Sequence, residues 1–284
     1  MRRDSETQGR RRTARRLSAA LALALAAAAA VSAGGAATAP ARGGAALLPD
    51  LVTLPVEARD IVVTRERGRP VLRFSNRIAN RGAGPLEAFP SAASTNCDGD
   101  GDPANDRVAS QRVFADANAS GWFERGIDTV ASERAFGCVR YHPAHDHWHV
   151  LRSAAYTLRR EPGGRRSARS RKVGFCHGDN VLVRPGPGVP AEPVYPFGSL
   201  APRRCDEHAT QGISVGYADL YALDLPGQAL PIDGLGRGRY CLVSRADPEN
   251  LLVEREERNN ARRTRVAVRP GSLSVRKLRG GCRR

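Results

Sequence analysis

Four of the six histidines in this 284-residue chain fall within Tyr141-His142-Pro143-Ala144-His145-Asp146-His147-Trp148-His149. Imidazole is a preferred ligand for copper and zinc. On a helix, His147 would point away from His145 and His149. On an extended strand, His145, His147 and His149 share one face, because side chains alternate with period two. The outer pair would then stand ~13 Å apart at ~3.3 Å per residue, so metal bonds of ~2 Å close the gap only if the strand bends or bulges at His147. Three imidazoles leave a position open for water, oxygen or a fourth ligand. The competing reading is a polar surface strand with solvated histidines, and three alternating histidines weigh against it. Spacing does not choose between copper and zinc, although the lack of a thiolate ligand set argues against a structural zinc site.

The elements that must position these histidines read as strands. The chain is 41% hydrophobic and 26% charged, too apolar to be wholly disordered and too charged for an integral membrane protein. Its 29 Gly and 19 Pro argue for many turns and against a helical bundle. Short runs such as Pro70-Val71-Leu72-Arg73-Phe74, Tyr240-Cys241-Leu242-Val243 and Arg265-Val266-Ala267-Val268 are separated by turn signals, among them Arg67-Gly68 and Asn80-Arg81-Gly82. The pattern predicts a mainly β fold, an antiparallel β-sandwich-like single domain, with sustained helical periodicity missing. Two long irregular segments interrupt it, Cys97 to Gly137 and Gly178 to Ala209, and loops of that length carry a site or need a staple. The domain is expected over 47–268, followed by a basic C-terminal tail over 269–284.

The first 46 residues read as a signal peptide and small-residue tail. Seven arginines up to Arg16 precede an uncharged, alanine-rich run from Leu17 to Ala33, ending in the small residues Val31-Ser32-Ala33. The alternative is a membrane anchor, but the run sits at the lower limit for spanning and no charge cluster follows it at once. Arg15-Arg16 suits either the general or the twin-arginine route. The expectation is a secreted, extracellular protein that is not membrane-embedded. In that setting six cysteines without any CxxC imply three disulfides, with 15 connectivities open. Forty-five Lys and Arg against 29 Asp and Glu give a net charge of +16. The arginines lack interleaved aromatics and any nucleic-acid motif, so nucleic acid is not expected as a partner, and attraction to anionic cell-surface polymers is.

The first long segment carries a second candidate site. Asp98-Gly99-Asp100-Gly101-Asp102 and Asp116-Ala117-Asn118-Ala119-Ser120-Gly121 both alternate oxygen ligands, and the second matches the first half of a calcium loop. Asp116, Asn118 and Ser120 are thus candidate ligands for structural Ca2+. Ile127 stands where the twelfth-position acid belongs, with Asp128 after it, and the alternative is a series of Asx turns.

A resemblance sharpens the main site. His142-Pro143-Ala144-His145-Asp146-His147-Trp148-His149 resembles the copper loop of the lysyl oxidases, a His, two residues, then His-x-His-x-His. Arg171-Lys172-Val173-Gly174-Phe175-Cys176 resembles that family's segment holding the cofactor lysine. The run from Cys205 through His208 and Gln211-Gly212 to Asp219-Leu220-Tyr221 resembles its Cys-x-x-His-Thr-Gln-Gly stretch, which leads to the cofactor tyrosine. Gly238 to Asn259-Asn260 resembles its closing strands. The four segments keep the family's order from about His142 to Val268.

The resemblance implies a copper-dependent amine oxidase of the lysyl oxidase type, taking primary amines or peptidyl lysine to aldehydes with O2 and releasing NH3 and H2O2. It implies that His145, His147 and His149 bind Cu(II), and that Lys172 and Tyr221 form a lysine tyrosylquinone. By its own surroundings Lys172 is an ordinary lysine closing a basic run, though neighbouring arginines would favour its neutral form if close in space. Tyr217 is a near rival for Tyr221, and the position after Asp219-x selects Tyr221. Asp219 and His208 are the candidates for the base that removes the substrate's α-proton, each with a structural hydrogen bond as its alternative role. The chain departs from the animal pattern in carrying Ala144 where those enzymes have a cysteine before the His-x-His-x-His set. No near neighbour pairs with Cys176 either. Both departures imply Cys176–Cys205, with Cys97–Cys138 and Cys241–Cys282 completing the set. The reading that competes with catalysis is a non-catalytic extracellular β-sandwich that binds copper through the same histidines. A zinc hydrolase is disfavoured by the absence of an HExxH motif.

Overall fold

Alternating burial along short strands shapes the protein, whose computed structural model describes residues 44–143, 146–163, 166–170, 174–195, 205 and 210–283. Among the described residues all strand pairings are antiparallel. One sheet carries β1 (Ala46–Leu47), β6 (Leu86–Ser94), β7 (Asp106–Ala115), β8 (Thr129–His142), β9 (His147–Val150) and β13 (Gln211–Ile213), in the order β13-β6-β7-β8-β9 with β1 also on β7. A second runs β12 (Val181–Leu182), β14 (Tyr217–Tyr221), β5 (Asn76–Asn80), β2 (Leu51–Thr53). A third is β15 (Ala229–Pro231), β4 (Arg69–Phe74), β3 (Ile61–Glu66). The fourth runs β11 (Arg166–Arg169), β10 (Ala154–Glu161), β16 (Gly238–Ala246), β17 (Ala261–Arg269), β18 (Ser274–Lys277). The expected mainly β, sandwich-like single domain is what the chain forms.

Local sequence explains the register. Arg67 and Gly68 join β3 to β4 with φ of 49° and 78°, the left-handed pair of a two-residue turn whose twist matches the flanking strands. Ala154, Tyr156 and Leu158 of β10 and Tyr240, Leu242 and Ser244 of β16 are buried at alternate positions, and the cross-strand register pairs Leu158 with Leu242. Phe74 meets Tyr156 edge-on, with ring centroids 4.9 Å apart. Each large apolar side chain so buried contributes ~1.5–3 kcal/mol. Buried polar groups are tied in as well. Asn80 accepts from the amides of Asp50 and Gly82 through Oδ1 and donates to the carbonyls of Gly84 and Ile213 through Nδ2.

The three expected disulfides are present: Cys97–Cys138, Cys176–Cys205 and Cys241–Cys282, with Cα separations of 5.7, 6.0 and 5.5 Å. The last ties down the basic segment after residue 268, where β18 returns alongside β17, so strand pairing continues past that point. At the other end, Asp116 donates its amide to the carbonyl of Ala45, and β1 pairs with β7. The signal-like run lies outside the described residues. Among the described residues no helix is long and apolar enough to cross a membrane.

Candidate active site

β8 and β9 form the hairpin that carries the histidines. His142 at the end of β8 stands opposite His147 at the start of β9, and Arg140 stands opposite His149. The chain reverses between them because Pro143 cannot donate to a ladder and Asp146 adopts a left-handed φ of 55°. Asp146 is fixed by its amide bond to the His142 carbonyl (3.0 Å) and by the Tyr141 hydroxyl on its Oδ1 (2.6 Å). The expectation of one strand bending at His147 is corrected accordingly: the bend precedes His147, and the strand begins there. His145 lies outside the described residues.

Within β9 the alternation is strict. Trp148 is buried, packing beside Ala88, Ala109, Val139 and Val150. His147 and His149 share the other face, with Nε2 atoms 2.9 Å apart. Two nitrogens held ~2 Å from one ion at right angles stand about 2.8 Å apart, so this pair suits a common metal. The ring of His142 is 5.0 Å from that of His149, centroid to centroid, adding an imidazole that the sequence reading had not assigned as a ligand. An all-imidazole donor set is the chemistry of copper or zinc.

The free edge of β9 is where the other segments converge. Phe175 exchanges two backbone hydrogen bonds with Val150 (2.8 and 3.0 Å). The amide of Trp148 donates to the carbonyl of Cys205 (2.7 Å), and the disulfide links Cys205 to Cys176. The segment ending in Phe175 packs closely on β9: a Cβ on Gly174 would lie 2.9 Å from Leu151 Cδ2, 3.3 Å from the Val150 carbonyl oxygen and 3.5 Å from His149 Cβ. Lys172, two residues earlier in the chain, lies outside the described residues. Gln211 donates Nε2 to the Trp148 carbonyl (3.1 Å) and accepts the His177 amide on Oε1 (3.2 Å).

β14 closes the site. Tyr217, Asp219 and Tyr221 point to one side and are all buried. The hydroxyl of Tyr221 donates to the Cys176 carbonyl (2.8 Å), and its ring packs on Phe175 with centroids 3.9 Å apart. Burial, reinforced by the Asp219 carboxylate, pushes the Tyr221 phenol well above its usual value. The Tyr217 hydroxyl instead reaches the Pro190 carbonyl at 3.4 Å. Asp219 Oδ2 stands 3.3 Å from His177 Nδ1, both side chains almost fully enclosed. His208, the other base candidate, lies outside the described residues. His177 was missed because its meaning is spatial, and its only sequence signal is a histidine directly after Cys176.

The candidate calcium loop is closed by its own backbone. Asp116 accepts the amides of Ser120 (3.0 Å) and Gly121 (2.8 Å), Asn118 accepts that of Ser120 (3.1 Å), and the Ser120 hydroxyl donates to the Trp122 carbonyl (2.8 Å). Asp128 accepts the amides of Ala117 and Glu124 at 2.8 and 2.7 Å. This is the hydrogen bonding of the Asx-turn alternative.

The family model described as Lysyl oxidase matches residues 124–277. Over 127 residues, 44% of its length, the chain is 28% identical to "Lysyl oxidase homolog 1" of Homo sapiens and of Bos taurus, covering 20% and 19% of those proteins. The same identity over 127 residues relates it to "Protein-lysine 6-oxidase" of Rattus norvegicus, covering 28% of that protein. The matched stretch thus spans under a third of each relative.

Proposed function

The chain belongs to the lysyl oxidase family, and from that premise we propose that it is a copper-dependent amine oxidase acting on primary amines or peptidyl lysine. The overall reaction takes amine, O2 and water to aldehyde, NH3 and H2O2. The observation that carries this reading is the pair of imidazoles on one face of β9 with Nε2 atoms 2.9 Å apart, beside the segment on which Tyr221 rests. In this proposal His145, His147 and His149 hold Cu(II), and Lys172 and Tyr221 supply the lysine tyrosylquinone. Copper and quinone together would provide the electron sink and the path to O2.

The remaining work falls to this chain's own groups. The Cys176 carbonyl and the Phe175 ring hold the Tyr221 ring against the segment that pairs with the strand carrying His149. Asp219, on the same face as Tyr221, takes the proton from the substrate's α-carbon on a carboxylate oxygen, and His177 Nδ1 steadies it. Enclosure of both groups excludes bulk water from that transfer. The three disulfides support work outside a reducing cytosol.

The test uses the full chain loaded with copper under air. Expected are stoichiometric copper, a visible quinone band, peroxide release with an alkylamine, and a tryptic peptide mass carrying a covalent Lys172–Tyr221 link. Lys172→Ala and Tyr221→Phe should abolish band, link and peroxide while leaving copper bound. Stoichiometric copper without link or peroxide in the parent protein would overturn the proposal in favour of a non-catalytic copper-binding module.

A further inference from the structure

The loop between β6 and β7 gathers carboxylates from two parts of the chain. Gly99 and Gly101, with φ of 80° and 94°, curl Asp98-Gly99-Asp100-Gly101-Asp102 so that Asp98 and Asp100 each accept the amide two residues on (2.9 and 2.8 Å). Asp106, the first residue of β7, enters from the other side. Its Oδ2 accepts the Asp98 amide at 3.1 Å. Oxygens of Asp98, Asp100 and Asp106 all lie within 4.8 Å of one another. Oxygens bound to one calcium ion at 2.3–2.6 Å lie no more than ~5 Å apart, so the three can share one ion.

Two observations point to a cation beyond this clustering. Asp106 is fully enclosed (0% exposed), one of its carboxylate oxygens lies within 4.8 Å of oxygens of Asp98 and Asp100, and among the described residues its Oδ1 has no hydrogen-bond partner. A buried carboxylate oxygen left without a partner is strongly unfavourable unless something positive meets it. Among the described residues, the positive charge that ion-pairs with the cluster is Arg140, whose Nη1 lies 2.5 Å from Asp98 Oδ2 and 3.7 Å from Asp100 Oδ2. Counting Arg107, whose Nη1 donates to the Asp106 backbone carbonyl (2.9 Å), two guanidiniums face three carboxylates, and a divalent ion that displaces Arg140 brings the charge to balance. Arg140 is 38% exposed, so it can withdraw into solvent as the ion enters.

We propose that Asp98, Asp100 and Asp106 form a calcium site that pins the Cys97–Cys138 loop to the root of β7. It is distinct from the Asp116 loop and from the imidazole centre, and it suits a hard oxygen-seeking cation rather than copper. Because Arg140 competes for the same oxygens and sits opposite His149 in the β8–β9 ladder, ion entry releases a side chain of the hairpin that carries the histidines.

The experiment takes the full chain, stripped of metals, and titrates it with Ca2+ alone by calorimetry, with Mg2+ as control. In parallel, the rate at which dithiothreitol reduces Cys97–Cys138 is read from peptide masses. Saturating Ca2+ should slow that reduction at least about fivefold and leave Cys241–Cys282 unchanged. Asp106→Asn should weaken binding at least tenfold, and Arg140→Gln should tighten it. If Asp106→Asn does not fold, Asp100→Asn in the exposed part of the loop replaces it, with the same weakening expected. Unchanged Ca2+ affinity in these variants, or a calcium response lost in Glu254→Gln (at the Asp247, Glu254, Glu257 grouping) rather than in them, overturns the proposal. So does reduction of Cys97–Cys138 at the same rate with and without Ca2+.

Discussion

The phenol of Tyr221 donates a 2.8 Å hydrogen bond to the backbone carbonyl of Cys176, joining β14 to the segment that pairs with β9. A single side-chain contact therefore spans residues 45 positions apart in the chain and carries the tyrosine to the edge of the histidine strand.

Tyr221→Phe removes that bond without opening a cavity. The folded state should lose ~1 kcal/mol, since the Cys176 carbonyl forfeits its buried donor. Copper binding should persist, while the quinone band and peroxide release disappear. Denaturant unfolding, metal analysis and an absorption spectrum check the three statements together.

The histidines should separate into ranks. His147→Ala and His149→Ala each break the pair whose nitrogens stand 2.9 Å apart, and copper affinity should fall more than about 100-fold. His142→Ala, whose ring centroid lies 5.0 Å from that of His149, should weaken copper by about 10–100-fold, the range for partners that orient a ligand. Competition with a chromogenic chelator orders the three.

Asp219→Asn should leave copper content and the quinone band intact and lower kcat by at least about 10²-fold, the usual range for a lost proton acceptor. His177→Gln should produce a smaller loss together with a displaced pH–rate profile, because its Nδ1 lies 3.3 Å from that carboxylate. Rapid mixing of amine with oxidised protein separates both effects from reoxidation by O2.

Glu254 gives the stability a pH dependence. Burial, with Glu257 and Asp247 nearby, pushes its carboxyl from 4.5 to about 8, against the opposing pull of the Leu51 and Asn260 donors. The folded chain then keeps a proton that the unfolded chain releases above 4.5. Stability contributed by this group is full below that value, falls by at most ~1.4 kcal/mol per pH unit as pH rises, and levels off above about 8. Urea unfolding in metal-free buffer at intervals across that window should show the slope, and Glu254→Gln should flatten it.

Much of the fold was legible because its determinants are local. Period-two burial in β10 and β16 and the Arg67-Gly68 turn follow from residue type and spacing alone. The disulfide partners were readable through the family pattern and its departures at Ala144 and Cys176. The turn before His147 was not, because a four-histidine run looks continuous in sequence, and it takes Asp146 in a left-handed conformation to divide it. His177 and Asp106 were invisible for a related reason. Each matters through a partner 42 or 8 residues away, His177 meeting Asp219 and Asp106 meeting Asp98, and no periodicity links such pairs. The two Asx-rich stretches looked alike in composition. They differ in where their second oxygens point, and that is decided by tertiary packing.

Among the described residues β9 is the last strand of its sheet, a position that ordinarily offers a template on which a foreign strand can grow. Here the amides of Trp148 and Val150 and their carbonyls are already taken by Cys205, Phe175 and Gln211. Self-association through this border is thereby blocked by the very contacts that assemble the centre, so loosening them exposes the protein to aggregation as well as to loss of its metal.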